Sequence, residues 1–440
     1  MSLRIWRTSQ PDFPALLDDF EGRRRVAQGF DADVRRRVEK ILEAVRTRGD
    51  EAVLEFTERF DGCRLEPETM RVGPEEVEEA LASIPGALLD ALKYAAERIR
   101  TFQESILLRD PAPIETGGRS LGIRYRPVDS AGLCVPGFTA SLASSVLMNA
   151  VPAAVAGVGR IVMITPPSPC RGPRPFPSVS PDRLAAAHVA GVGEIYRVFG
   201  GQGVAALAFG TETIPAVDFI AGPGNVYVQS AKKAVFGVVG VDMIAGHSEV
   251  LVLADSSAKP QWVAAELISQ SEHNEGSATL LTDDEQLAGA TAQCVDEQLA
   301  AHSGAREARD HLERSGLAVV AGSMDECVEL ANRLAPEHLV IMTREPEALS
   351  EGIRHAGAIF LGDRTPVAVG DYLAGPSHCL PTGTTARFSS GLTANTFLKS
   401  TSLVRYDRKA LAEDAASLEV IAEAEGLEAH ARSVRFRLEG

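Results

Sequence analysis

Excess basic charge is the first thing this chain lacks: 44 Lys and Arg stand against 60 Asp and Glu in 440 residues, a formal net charge of −16. A protein that grips a phosphate backbone needs clustered cations to displace counterions, so the balance argues against nucleic acid and for small-molecule ligands. Cysteine is scarce too. The six, at positions 63, 134, 170, 294, 327 and 379, form no Cys-x-x-Cys pair and are too few for a disulfide scaffold, which fits a reducing compartment. Long apolar runs are also missing. The longest, Leu147 to Thr165, is broken by Asn149, Pro152 and Arg160, and Met1 to Pro14 has no apolar stretch of signal-peptide length. No membrane span is expected, and the cytoplasm is the expected compartment.

What is present is an ordinary globular composition, 45% apolar and 24% charged, in a chain long enough for two or more domains. A polar tail to about Gly29 precedes a helical pattern from Asp31 to Arg48, with Val34, Val38, Ile41, Leu42 and Val45 on one face. Helical patterns continue to about Leu107, and a strand-like stretch, Leu121 to Val128, leads to Cys134-Val135-Pro136-Gly137. From there strands and helices alternate twice over, first to Ile220 and again from Glu249, the signature of parallel sheets with crossover helices. The expected fold is α/β: two Rossmann-like parallel-sheet domains with helical N-terminal and C-terminal segments. Residues 30–133 and 249–391 are assigned to a first, discontinuous domain, 134–248 to a second on the cofactor side, and 392–440 to a mainly helical C-terminal domain.

Chemistry concentrates between Asn332 and Gly383. Pro336 biases its predecessor to extended geometry, and the apolar run Leu339-Val340-Ile341-Met342 reads as a buried strand, so Glu337 and His338 sit at a strand mouth. An adjacent carboxylate and imidazole there can exchange protons near neutral pH; a His hydrogen-bonded at the sheet margin is the plainer alternative. Asp371 and His378 fall in a segment rich in Gly, Pro, Ser and Thr, the vocabulary of a loop that holds side chains at special angles. Gln270 and His273, three apart at a helix end, share a face and could address one ligand, or simply cap the helix. With Asp371 and His430 they form a nitrogen and oxygen set suited to zinc, although nothing in the order of residues makes them converge. Gly201-Gln202-Gly203 follows a strand and opens a helix, as a dinucleotide fingerprint does, yet the acidic residue expected some twenty positions on is not clear, since Asp218 comes early. Gly222-Pro223-Gly224-Asn225 offers backbone amides to a phosphate or makes a plain turn.

These motifs carry a resemblance. Arg48-Gly49-Asp50, Val135-Pro136-Gly137, Ala206 to Thr211, Gly222 to Asn225, Ser269 to His273, Ala335 to Leu339, Gly370-Asp371-Tyr372 and Glu425 to His430 together resemble the histidinol dehydrogenase family over nearly the full length. The resemblance implies oxidation of L-histidinol through the aldehyde to L-histidine, with one zinc per subunit and two NAD. It implies Glu337 and His338 as the catalytic pair and Gln270, His273, Asp371 and His430 as metal ligands. Ser248, His378 and Glu425 would join the ligands and His338 around the substrate, and Cys134, Gln202 and Asn225 would meet NAD. A homodimer with exchanged terminal segments is implied too, so that Glu425 and His430 complete the partner subunit's site. Cys134, Phe138, Phe199, His247 and Ser377 depart from the family pattern, which keeps open a paralogue acting on another small polar alcohol such as a sulfonated diol. A zinc hydrolase or a metal-dependent binding protein are the readings from other classes.

Overall fold

Three sheets carry the architecture of this chain, a computed structural model in which residues 3–26, 32–137, 142–168, 178–272, 276–301 and 305–439 are described. In chain order the strands are β1 (Arg4–Arg7), β2 (Ile114–Thr116), β3 (Arg119–Pro127), β4 (Ser130–Cys134), β5 (Arg160–Ile164), β6 (Glu194–Tyr196) and β7 (Phe219–Ala221). They continue with β8 (Gly240–Val241), β9 (Glu249–Ala254), β10 (Ser277–Thr282), β11 (Gly316–Val320), β12 (His338–Met342), β13 (Ala358–Leu361) and β14 (Leu398–Tyr406). A six-stranded parallel sheet runs β1-β11-β10-β9-β12-β13, and a five-stranded parallel sheet runs β6-β5-β4-β7-β8. The strands β9, β10 and β12 are buried at every position because helices cover both faces, as a parallel sheet requires. The expected α/β class with two parallel sheets is what the chain adopts.

Two expectations give way and a third is refined. The polar tail is a strand and a helix: β1 pairs in register with β11, and the helix Phe13–Val26 buries Phe13, Leu17 and Phe20 against Leu251, Leu281 and Leu317 of its own chain's six-stranded sheet. Residues 30–133 were assigned to the same domain as 249–391, but the helix Ala32–Arg48 packs Val38, Ile41 and Val45 against Ile164, Val204 and Ala231 on the five-stranded sheet. The helix Gly86–Ile106 covers that sheet's other face through Leu92, Ala96 and Ile99. The C-terminal region is mainly helical as expected, but a strand comes before the helices. β14 pairs antiparallel with β3 along all nine of its residues, and only then come the helices Arg408–Ala424 and Glu428–Glu439. This arm of β3, β14 and the two helices is tied to itself by Arg119, which forks onto Asp414 at 2.9 and 2.7 Å.

Candidate active site

Glu337 and His338 open β12 at the amino-terminal edge of the six-stranded sheet, and both are buried. Ala335 turns into the left-handed region to end the helix Met324–Leu334, which lets Pro336 deliver the pair straight into the strand. Ser248 and Glu249 reach the same edge at the start of β9. Ser248 Oγ and the Glu249 backbone N–H both donate to Glu337 Oε2, each at 2.7 Å, so one carboxylate oxygen is fixed while Oε1 makes no hydrogen bond among the described residues. Behind them Arg24 forks onto the Glu249 carboxylate at 2.9 and 2.5 Å and donates to the Leu334 carbonyl at 2.9 Å. The N-terminal helix therefore braces the catalytic edge.

His338 Nδ1 lies 3.0 Å from the Glu249 carbonyl, which can only accept, so Nδ1 carries a hydrogen and Nε2 is the working nitrogen. That Nε2 is buried without a hydrogen-bond partner, 3.7 Å from Asp371 Oδ1. Burial works against a charged imidazole here, but the Glu337 and Asp371 carboxylates outweigh it and hold the His338 pKa up at about 9. His378 shows the opposite balance: burial holds it below its usual value despite Asp371. Its Nδ1 sits 3.1 Å from the Asp371 carbonyl and its Nε2 3.2 Å from Ser145 Oγ. A neutral ring donating from Nδ1 and accepting the Ser145 hydroxyl satisfies both contacts.

Gln270, at the end of the helix Pro260–Ser271, is buried with its amide nitrogen unpartnered, and it packs against Gly276 beside the Ser248 carbonyl. One turn earlier Glu266 accepts from the Val367 N–H at 3.1 Å, which docks this helix on the Val367–Tyr372 segment that carries Asp371. Ser248, Gln270, Glu337, His338, Asp371 and His378 are thus gathered around one cleft. Two expected members are not brought there. Glu425 and His430 are exposed on the C-terminal arm, with no bond to the cleft residues of their own chain. His273 lies outside the described residues, as does Phe138. Among the described residues, no three His, Cys, Asp or Glu side chains are grouped to hold a metal ion.

The cleft faces the carboxyl edge of the five-stranded sheet, joined across by Ser145 to His378 and by the Gly246 N–H to Thr382 Oγ1 at 2.5 Å. On that second edge the helix Gly200–Phe209 opens at the expected Gly-Gln-Gly. Asn225 caps the helix Val226–Val235, its Oδ1 accepting from the Tyr227 and Val228 N–H groups at 3.1 Å each, so its amide nitrogen is left for a ligand. Gln202 and Asn225 line a cavity of about 810 Å³ with Arg37, Lys40, Phe60 and Asp61. Cys134 does not behave as expected at the cofactor. It is fully buried, burial pushes its thiol up to about 12, and its carbonyl rather than its sulfur lies under Gly222. The cavity acid Asp61 was missed by sequence reasoning, because a carboxylate at the end of the amphipathic helix Asp50–Asp61 reads as a surface charge. His247 lines a separate cavity of about 750 Å³ beside Arg24 and Thr382, and Ser377 Oγ bonds the Met148 carbonyl at 2.9 Å.

The histidinol dehydrogenase family model matches residues 24–438. A histidinol dehydrogenase of Synechococcus sp. is 49% identical over 401 residues, 91% of each chain. That of Syntrophotalea carbinolica is 47% identical over 437 residues, 99% of each chain. The crystal structure of histidinol dehydrogenase from Elizabethkingia anophelis superposes with a TM-score of 0.91 at 32% identity, covering 100% of this chain and 98% of that one.

Proposed function

This chain belongs to the histidinol dehydrogenase family, and from that premise we propose how its cleft oxidises L-histidinol to L-histidine with zinc and two NAD. The observation that carries the reading is the pairing of His338 Nε2, a buried nitrogen with no hydrogen-bond partner, with Glu337, one of whose oxygens is fixed and the other free. In the first half-reaction His338 Nε2, acting from its neutral ring, takes the hydroxyl proton as the carbinol hydride leaves, giving the aldehyde; with the pKa held up at about 9 that form gains population as pH rises. In the second, Glu337 Oε1 takes a proton from water as it adds to the aldehyde carbon, and the hydrate loses a second hydride to give the carboxylate. Alcohol, water and two NAD become carboxylate, two NADH and three protons. The nicotinamide supplies the redox chemistry, and the protein supplies position and proton transfer.

Gln270 and Asp371 would hold the zinc with His273 and His430, and zinc when bound would anchor the substrate's amine and imidazole nitrogens. A buried carboxamide with an unpartnered end and a carboxylate 3.7 Å from His338 Nε2 are donor types that suit such a site, and either end of the amide can be turned toward the ion. A ligand role for Asp371 would also remove part of the pull that raises His338. His430 is exposed on the C-terminal arm, so within this reading it reaches the cleft of a second copy, and the active protein is a homodimer with shared sites. The arm's surface supports that: Ile114, Val404, Val420, Ile421 and Phe436 stand exposed on it, more apolar side chain than a solvated arm would offer. No described helix is long and apolar enough to cross a membrane, and a cytoplasmic setting belongs to the same reading.

The test counts NADH formed per L-histidinol by the zinc-loaded protein. Two per substrate are expected. His338→Asn should abolish the first hydride transfer, whereas Glu337→Gln should still release aldehyde-level product and slow the second transfer by about 100-fold or more. Equal loss of both half-reactions in the Glu337 variant would overturn the division of labour.

A further inference from the structure

A dinucleotide-binding sheet of this kind normally places an acidic side chain on the adenosine ribose, at the end of the second strand. The residue that would fill that role here is engaged elsewhere. Asp218 Oδ2 accepts from Ser130 N–H at 2.9 Å and from Ser130 Oγ at 2.7 Å, at the amino-terminal end of β4, the wrong edge for a ligand. The crevice expected for the nucleotide lies outside the carboxyl ends at the switch point between β4 and β7, where chain order reverses. The 810 Å³ cavity is on that side, walled by the first turns of the helices Gly200–Phe209 and Val226–Val235 and by the helices Ala32–Arg48 and Asp50–Asp61.

Two acceptor oxygens in that wall have nothing to accept. Gln202 is 1% exposed and its Oε1 is buried without a hydrogen-bond partner; Asp61 Oδ2 is likewise buried and unpartnered. Leaving buried acceptors unmade is costly, so the wall is complementary to something that brings donors. Arg37, Lys40 and Arg59 line the same cavity, with Phe60 and Tyr227 offering ring faces. Cations suit a pyrophosphate and rings suit a base, but a carboxylate repels phosphate and suits a vicinal diol. We propose that Asp61, delivered by a helix outside the sheet, accepts the adenosine ribose hydroxyls of the dinucleotide and thereby selects NAD over its 2′-phosphorylated counterpart. A 2′-phosphate would bring its own negative charge against Oδ2.

This inference rests on the cavity being the NAD site of the proposed function. The experiment is a calorimetric titration of the whole protein with NAD and with NADP, comparing wild type, Asp61→Asn and Asp61→Ser, with no turnover required. Wild type should bind NAD at least about 30-fold more tightly than NADP; Asp61→Ser should weaken NAD about tenfold or more and narrow the preference by a similar factor. Asp61→Asn, which keeps the shape and can donate, should recover affinity for NADP more than for NAD. Wild type that binds NAD while both variants keep its affinity and preference overturns the role of Asp61 alone. Wild type that binds neither dinucleotide overturns the cofactor reading and this inference with it.

Discussion

The proposed catalytic cleft and the proposed dinucleotide cavity both leave polar atoms without partners, but atoms of opposite kind. In the cleft they are nitrogens, Nε2 of His338 and the amide nitrogen of Gln270; in the cavity they are oxygens, Oδ2 of Asp61 and Oε1 of Gln202. His338 Nε2 suits a group that surrenders a proton, and the cavity oxygens suit groups that can donate, which an alcohol at one end and ribose hydroxyls at the other supply. Behind each open front stands a buried ion pair. Arg24 and Glu249 back the cleft, with side chains 8% and 6% exposed, while Lys232 and Asp242 back the cavity at 0% and 1%. Substrate-facing atoms are left unsatisfied only where the surrounding backbone is held from the other side.

The comparison breaks most sharply across subunits. The described residues that line the cavity all come from one chain, whereas His430 and Glu425, which the proposed site draws from a partner, are exposed on the arm of their own chain. His338→Asn and His430→Ala should each reduce turnover by 100-fold or more on their own. Unfolding and refolding the two inactive variants together should restore about a quarter of wild-type activity if the proposed homodimer forms, since half the dimers would be mixed and each would have one intact site. A mixture as dead as its parents would mean that His430 serves no partner. NAD affinity should be indifferent to the same mixing.

A second experiment removes the backing of one site only. Lys232 Nζ sits 2.5 Å from Asp242 Oδ1 and 2.8 Å from the Gly222 carbonyl, while Asp242 Oδ2 accepts the Gly222 N–H at 2.8 Å. The pair clamps both faces of the peptide that starts the Gly222 to Asn225 turn, where Gly222 has φ +103° and a Cβ would collide with the Cys134 carbonyl. Lys232→Met leaves a buried carboxylate alone and should destabilise the protein by about 3 to 5 kcal/mol, with NAD affinity lost before histidinol affinity; adding Asp242→Asn should recover part of the loss. Urea midpoints of the single and double variants decide it. A double variant no better than the single would mean the charge is not what matters there.

Much of this was legible in the sequence. The helix Ala32–Arg48 and the strand His338–Met342 appear where the pattern puts them, because each buries one recognisable face or run. Glu337-His338 was visible since the chemistry lies in adjacent residues at a strand mouth. β14 was not: Leu-Lys-Ser-Thr-Ser-Leu-Val-Arg-Tyr is exposed along most of its length and is a strand only because β3, more than 270 residues earlier, pairs with it. Nor was the attachment of residues 32–106 to the five-stranded sheet, which depends on tertiary packing and on no local pattern. Asp61 belongs with these misses. Its neighbours Arg59 and Phe60 look like a solvated helix end, and only the cavity gives the carboxylate a meaning.

That carboxylate also yields the smallest effect expected. Burial pushes Asp61 from 3.8 up to about 6. A folded-state pKa raised above the unfolded one means that the folded protein binds the extra proton between those values. The stability this represents is fully present below about pH 4 and is lost as pH rises through 6. Above that, ligand-free protein carries a desolvated charge whose cost is at most about 3 kcal/mol, and about 1 to 2 once partial solvent access is allowed for. Asp61→Asn should therefore unfold at higher urea than wild type at pH 8 and at the same urea at pH 4. Saturating NAD should reverse the order at pH 8, because the ligand stabilises wild type in proportion to the affinity the variant has given up. A variant no more stable than wild type without ligand would show that the Asp61 carboxylate is solvated, and the contrast between the two sites would then rest on Gln202 alone.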